Sequence, residues 1–212
     1  MQIALIGASG FIGSALRTEA LARGHQVRAI VTNPSRLAPA AGLDVRQVDV
    51  LDPHALSDAL GGVGAVISAF SGHAQAEVRA YYVKGVRSII DAVLSAGRPR
   101  LLMVGGAGSL EVAPGVQLVD TEGFPAAWKG TAEGARDALD LLRAQTGLDW
   151  TMLSPSAHLQ PGQRTGRFRL GTDQLLVAAS GQSEVSVEDY AVAMIDELER
   201  PAHSGRRFTV GY

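Results

Sequence analysis

Short apolar runs alternate along the chain with longer segments in which apolar residues recur every three or four positions. The first pattern is typical of buried strands, and the second of helices that pack on one face. Strands are predicted at residues 3–6, 26–31, 45–49, 65–69, 100–104 and 149–153. The fourth strand is almost entirely apolar, as expected for a strand covered on both faces of a parallel sheet.

Helical periodicity fills most of the gaps between these strands. The first helix carries Ile12, Leu16 and Ala20 on one face and ends near Gly24. Further helices are predicted from residue 53 to the glycines at 61 and 62, from 78 to the glycine at 97, over 131–145, and from a capping box at 186–189 to residue 199. This alternation predicts a Rossmann-type doubly wound parallel sheet with strand order 3-2-1-4-5-6 and a ligand crevice between strands 1 and 4.

The periodicity weakens in two places. Residues 110–130 are predicted to be irregular, and residues 155–182, rich in glycine and proline, to be irregular with a small hairpin. A final short strand is predicted at 207–210. We therefore expect a single domain over 1–212, with 155–212 as a small C-terminal portion.

A glycine motif joins the first strand to the first helix. In GASGFIG, Gly7 allows a tight turn, Gly10 a close approach of phosphates to the backbone, and Gly13 close packing of helix on strand. The N–H groups and the dipole at the helix start attract the pyrophosphate of a dinucleotide. The residues predicted to bind the cofactor here are Gly7, Ser9, Gly10, Phe11, Ile12 and Gly13.

The end of the second strand predicts which nucleotide binds. An NAD site usually has Asp or Glu here to hold the ribose diol, whereas this chain has Thr32 and Asn33, followed by Arg36. These residues favour the 2′-phosphate of NADP over NAD, although Arg36 is also explained as a solvated arginine. Asp49 and Val50 are predicted beside the adenine, with a turn-capping role for Asp49 left open.

Candidate residues for the nicotinamide and the acceptor follow strands 4, 5 and 6. Ala69, Phe70 and Ser154 are predicted on the cofactor side, with Phe70 alternatively a core aromatic. Ser109 and His158 are the candidate catalytic residues, Ser109 as a hydrogen-bond donor and His158 as a proton donor. Both also have ordinary explanations, as a loop serine and a surface histidine.

Composition narrows the range of partners. The chain has no cysteine, which excludes thiol catalysis and thiolate metal sites, and no metal site is predicted. Its net charge is −2 without a basic block, so nucleic acid is not an expected partner. No apolar stretch has the length of a membrane span, and we expect a cytoplasmic protein. The expected partner is a small-molecule acceptor, with a homo-oligomer left open.

Several stretches distributed over the chain carry a family resemblance: IALIGASGFIGSAL, QVDVLDPHAL, AVISAF, LLMVGGAGSLEVAPGVQLVDTEGFP, GLDWTMLSPS, GQRTGRFRLGTDQLLV and SVEDYAVAMIDELERPAH. The chain resembles the atypical short-chain dehydrogenase/reductase proteins. Within them it is similar to the group provisionally named NADH-flavin reductases, related to NmrA-like and flavin/biliverdin reductase proteins. The resemblance implies a Rossmann fold and a nicotinamide dinucleotide.

The resemblance also brings out what this chain lacks. Conventional members use a Tyr-x-x-x-Lys dyad as acid and pKa modulator, but here Tyr81 and Tyr82 stand three and two residues from Lys84, on the helix before strand 5. Direct hydride transfer to flavin such as FMN, or to another small planar acceptor, needs no dyad. The first hypothesis is therefore an NAD(P)H-dependent reductase. The alternatives are an NmrA-like redox sensor without turnover and a nucleotide-sugar epimerase or dehydratase.

Overall fold

An eight-stranded sheet forms the centre of the protein, and the computed structural model describes all 212 residues. The strands are β1 Gln2–Ile6, β2 Gln26–Val31, β3 Leu43–Gln47, β4 Ala65–Ser68, β5 Arg100–Val104, β6 Glu111–Ala113, β7 Val116–Gln117, β8 Trp150–Ser154, β9 His158–Gln160, β10 Arg169–Gly171, β11 Glu184–Ser186 and β12 Arg206–Gly211. The helices are α1 Phe11–Ala22, α2 Pro53–Leu60, α3 Val78–Ser95, α4 Ala126–Arg143 and α5 Val187–Glu199.

The strand order confirms the predicted doubly wound topology. The central sheet runs β10-β12-β8-β5-β4-β1-β2-β3, and all of its neighbours are parallel except β10 and β12. Strands β1, β2 and β3 extend to one side of the switch point, and β4, β5 and β8 to the other. The chain therefore leaves a crevice between β1 and β4 at their carboxyl ends, which is where ligands bind in such sheets.

Helices cover both faces of the sheet. Alternate residues of β1 point to opposite sides, so Ile3 and Leu5 join one apolar core while Ala4 and Ile6 join the other. Helices α1 and α5 pack together on the first side, and α3 packs against both α2 and α4 on the second. No helix of the structure has the length and apolarity needed to cross a membrane.

The structure corrects two predicted boundaries and one predicted hairpin. Strand β3 ends at residue 47, because the turn that follows uses Asp49 to bind a backbone N–H. Helix α4 begins at residue 126, just after Pro125, rather than at 131. The hairpin predicted in 155–182 is wrong. In that region β9 pairs with β11 and β10 with β12, which are distant partners that local patterns do not reveal, whereas the hairpin β6–β7 lies within 110–130.

Only half of the predicted capping box at the start of α5 is formed, because the backbone N–H of Ser186 donates to the Tyr212 hydroxyl and not to the Asp189 carboxylate. The Ser186 hydroxyl accepts a hydrogen bond of 3.0 Å from the backbone N–H of Asp189. The final strand, predicted to be short, joins the main sheet as β12 beside β8. The C-terminal portion thus extends the sheet instead of standing apart from it.

Candidate functional site

The loop between β1 and α1 turns tightly against the end of β4. Gly7 has φ of +77°, and its N–H donates to the carbonyl oxygen of Ile30 at 2.9 Å. A Cβ atom at Gly7 would come within 2.6 Å of the carbonyl oxygen of Ala69. Gly7 is required here both for its conformation and for the missing side chain.

The third glycine of the motif is equally constrained. A Cβ atom at Gly13 would lie only 2.0 Å from the carbonyl oxygen of Gly7, so α1 can approach the loop only with glycine at this position. Gly10 is the N-cap of α1, and neither a capping side chain nor an acidic residue occupies the first turn. The free N–H groups at this helix start fit the pyrophosphate of a dinucleotide.

The other candidate residues of the loop surround this helix start. Ser9 and Ile12 are half-buried, and Phe11 is exposed. A cation also lies beside the loop, because Arg17 donates from Nη1 to the carbonyl oxygen of Ala8 at 3.2 Å. Sequence analysis missed Arg17 because its position in the helix pattern does not distinguish it from a solvated arginine.

At the carboxyl end of β2, the candidate ribose contacts are exposed. The Asn33 carboxamide oxygen accepts from the backbone N–H and the hydroxyl of Ser35, so this oxygen holds a short 3-10 helix over residues 34–36. The Thr32 side chain is exposed, and Arg36 makes no ion pair or hydrogen bond through its side chain. The guanidinium of Arg36 is therefore available for an anionic ligand.

The two residues predicted beside the adenine follow β3 rather than ending it. Asp49 is exposed, and its carboxylate accepts from the backbone N–H of Leu51 at 2.9 Å, which is the turn-capping alternative. Val50 is buried, and its carbonyl oxygen accepts a hydrogen bond from Ser88. Contact of either residue with adenine stays a prediction.

A cavity of about 590 Å³ opens at the carboxyl ends of β4, β5 and β8. Ala69 lines this cavity and also packs against Gly7, so the glycine loop and the cavity adjoin. Aromatic walls are supplied by four residues: Phe70, Tyr82, Phe124 and Trp128. The floor includes the segment from Val104 to Gly108, in which three of the five residues are glycine, and this leaves space for a ligand ring.

Phe70 lines the cavity and also packs against the core, while its predicted contact with nicotinamide stays a prediction. It packs tightly on α3, where a Cβ atom at Gly85 would come within 2.2 Å of the phenyl ring. Its ring stacks on Tyr82 with centroids 5.9 Å apart and an angle of 8° between the planes. Phe70 is therefore a rigid wall, because α3 and Tyr82 fix its position.

Two predicted serines lie below the cavity surface. Ser109 is 2% exposed and lies outside the cavity lining, and its hydroxyl accepts a hydrogen bond of 3.0 Å from Arg207. Arg207 is in turn paired with Asp173. This placement argues against the expected contact of Ser109 with nicotinamide or acceptor, because the hydroxyl already holds a buried guanidinium.

Ser154, by contrast, has a free hydroxyl. It is fully buried, and its Oγ has no hydrogen-bond partner in the protein. A Cβ atom at Gly105, which lines the cavity, would come within 3.0 Å of this oxygen. The Ser154 hydroxyl thus lies beneath the floor and outside the cavity lining, and its contact with the nicotinamide amide stays a prediction.

Two histidines lie at the cavity, the predicted candidate His158 and also His73. The exposed side chain of His158 lines it from β9, whose pairing with β11 fixes the backbone. His73 lines it from the loop after β4, and its Nδ1 lies 3.1 Å from the Thr131 hydroxyl. Thr131 and Phe124 escaped sequence analysis, because only the packing of α4 against α3 brings their segment over the sheet.

The structure does not form a Tyr/Lys dyad. Tyr82 is buried, and its hydroxyl lies 3.4 Å from the carbonyl oxygen of Val104, to which it donates, whereas Lys84 is exposed. Burial raises the pKa of Tyr82 to about 12, so this phenol stays protonated at neutral pH. No lysine lines the cavity. Acid catalysis by a lysine-assisted tyrosine is therefore not available here.

Comparison with known proteins places this site in a family context. Residues 7–201 match the family described as NAD(P)H-binding. A structure from Bacteroides thetaiotaomicron, provisionally named an epimerase, is 45% identical, with a TM-score of 0.93 and coverage of 100% of this chain and 96% of that one.

Two further solved structures are similar over their whole length. One from Burkholderia pseudomallei, provisionally named an exported protein, is 44% identical, with a TM-score of 0.90 and full coverage of both chains. One from Streptococcus pneumoniae, provisionally named an NADH-flavin reductase, is 33% identical, with a TM-score of 0.89 and coverage of 100% and 99%. The chain therefore belongs to the NAD(P)H-binding family and shares the Rossmann-type fold of short-chain dehydrogenase/reductase-like proteins.

Proposed function

We propose that this protein is an NADPH-dependent reductase that transfers hydride directly to a flavin or another small planar acceptor. The observation that carries the proposal is the cavity beside the glycine loop, which has aromatic walls and no Tyr/Lys dyad. Its volume of about 590 Å³ is within the ordinary range for small-molecule sites.

The residues of this chain position and enclose the reactants. The glycine loop and α1 would hold the pyrophosphate, and Ala69, Phe70 and the unpaired Ser154 hydroxyl would face the nicotinamide side. When bound, the reduced nicotinamide supplies two electrons and one hydrogen as hydride, and the acceptor also takes up one proton. His158 and His73 are the candidate donors of that proton, together with solvent.

Relatives support the proposal to different degrees. The Streptococcus pneumoniae structure carries the flavin reductase name, and this chain covers its whole fold. The epimerase name of the Bacteroides thetaiotaomicron structure favours a second candidate, an NAD(P)-dependent epimerase. The missing dyad disfavours that candidate for this chain, since the alcohol–ketone steps of such enzymes use it.

Turnover separates the reductase from both alternatives. Anaerobic loss of NADPH absorbance is to be measured with excess flavin, beside a reaction without protein. We expect steady turnover well above the spontaneous rate. Binding of NADPH without turnover of any planar acceptor would instead indicate the redox sensor, and would contradict the proposal.

Arg36 is expected to set the preference for NADPH. Arg36→Ala should lower kcat/KM for NADPH by about tenfold, because one charge-assisted contact to the 2′-phosphate is lost, and should leave NADH nearly unchanged. The measurement compares kcat/KM for both nucleotides. The matched control is Arg200→Ala, another exposed arginine, placed after α5. Equal losses of kcat/KM with NADPH and NADH would show that Arg36 does not recognise the 2′-phosphate.

The remaining expectations belong to the same proposal. The partner is a small-molecule acceptor, without nucleic acid or membrane, and a homo-oligomer is left open. A cytoplasmic location agrees with the absence of cysteine and with the supply of reduced nucleotide there. Fractionation of the native host tests the location, because a relative carries the name of an exported protein.

A further inference from the structure

The wall of the cavity carries no permanent charge. None of the residues that line it is Asp, Glu, Lys or Arg, although two histidines, His73 and His158, are among them. The Tyr82 phenol stays neutral. A ligand in this cavity therefore meets aromatic rings, small side chains and backbone, but no fixed countercharge.

The arginines that flank the lining are already paired. Arg79, next to Val78 of the cavity wall, binds Asp137 at 2.7 Å and Glu133 at 3.1 Å. Arg136, next to Ala135 of the wall, binds Asp120 at 2.9 Å. These two guanidinium groups are thus already paired with carboxylates.

One unpaired cation lies near the mouth. Lys129 follows Trp128 in α4, is exposed and makes no ion pair. It does not line the cavity, because successive residues of a helix point about 100° apart. Lys129 is therefore the group to vary when recognition of an anion at the mouth is tested.

The mouth of the cavity offers an aromatic surface on which a planar ring can stack. Trp128 is 57% exposed although it lines the cavity, and its indole meets the edge of the His73 ring with centroids 5.8 Å apart. A planar ring laid on this indole would bury apolar area on both partners. The contact of His73 Nδ1 with Thr131 leaves Nε2 for a carbonyl or ring nitrogen of the ligand.

We propose that this cavity takes an uncharged planar ring stacked on Trp128 and selects against phosphorylated acceptors, so that riboflavin is a better acceptor than FMN. The inference rests on the proposed function and specifies its substrate class. The physical reason is desolvation: a phosphate dianion brought to an uncharged cavity loses hydration without gaining a countercharge, whereas a neutral ring loses little.

Kinetics with matched flavins test this proposal. At saturating NADPH, kcat/KM is measured anaerobically for riboflavin, lumiflavin and FMN, which share the reacting ring. We expect riboflavin and lumiflavin to be similar and FMN to be lower by about tenfold. Trp128→Ala should raise KM for riboflavin and leave KM for NADPH unchanged. Lys129→Ala, the control, should leave the ratio of riboflavin to FMN unchanged.

A kcat/KM for FMN that equals or exceeds the value for riboflavin would overturn the proposal. Loss of that FMN preference in Lys129→Ala would then place phosphate recognition at the mouth.

Binding separates this inference from the proposed function. If no flavin is reduced, the function fails for flavins, and the charge selection is then measured by quenching of tryptophan fluorescence in protein saturated with NADP⁺. Trp150 is buried, so riboflavin should quench mainly Trp128, and Trp128→Phe should remove most of the effect. Tighter binding of riboflavin than of FMN supports the selection, and the reverse order overturns it.

Discussion

Alanine in place of Gly13 is expected to weaken NADPH binding by about 100-fold, a loss of about 3 kcal/mol. The added Cβ atom would lie 2.0 Å from the carbonyl oxygen of Gly7, far inside van der Waals contact. The atoms that this Cβ would meet all belong to the backbone of Gly7 and Ala8, so the conflict is relieved only by moving α1 away from the loop. That movement displaces the N–H groups that are proposed to hold the pyrophosphate.

Titration of NADPH fluorescence measures this loss, with thermal unfolding followed in parallel. Gly24→Ala is the control, because Gly24 also lies next to α1 and a Cβ atom there meets nothing within 4 Å. Its positive φ of +80° predicts a modest loss of stability, but NADPH binding should stay unchanged. Binding to Gly13→Ala as tight as to the unaltered protein would show that the cofactor does not use this loop.

Alanine in place of Asp189 is expected to lower the free energy of unfolding by about 3 kcal/mol. The fully buried carboxylate accepts from the backbone N–H groups of Thr165 and Gly166, both at 2.8 Å, and from the hydroxyls of Thr165 and Tyr212. It therefore fastens the segment after β9 and the C-terminus to α5. Removing the carboxylate takes the shared acceptor from these four donors at once.

The same carboxylate predicts how stability depends on pH. Burial raises the pKa of Asp189, but its hydrogen bonds lower it by more, so the folded-state pKa lies below the ordinary value. A lowered pKa means that this stabilisation is fully present above about pH 4, the pKa of an unfolded aspartate, and is lost as pH falls through the folded-state value. Asp189→Ala should therefore lose less stability on acidification.

Denaturant unfolding at pH 7 and at acid pH checks both statements, and a drop in Tm of about 10 °C should accompany the loss at neutral pH. Asp91→Ala serves as the control, because Asp91 is exposed on α3 and makes no side-chain hydrogen bond. Equal stability of the two variants would contradict the role assigned to Asp189.

Elements stabilised by nearby residues were predictable from the sequence. The glycine loop, the strands of the central sheet and the N-cap at Ser186 all depend on contacts within a few residues or on burial along one strand. For these elements, the residue types along the segment are themselves the physical cause of the structure that forms. The strand order followed as well, since parallel strands with helical crossovers allow few topologies.

Contacts between distant residues explain where sequence reasoning failed. Ser109 stands where a catalytic serine is expected, but the guanidinium of Arg207, far away in the chain, occupies its hydroxyl. The pairing of β9 with β11 replaced the expected hairpin for the same reason. The residues around Ser109 or β9 do not indicate which distant residues will contact them.

The sequence by itself thus determined the Rossmann-type fold, the glycine loop and the absence of a Tyr/Lys dyad, because each is a local pattern or a matter of which residues are present. Only the tertiary structure decided the character of the cavity at the carboxyl ends of β4, β5 and β8. Its wall combines the segments after β4, β5 and β8 with the start of α4, and only their packing shows that charged residues are left outside. The proposed charge selection depends on that assembled wall, since no single segment encloses a ligand.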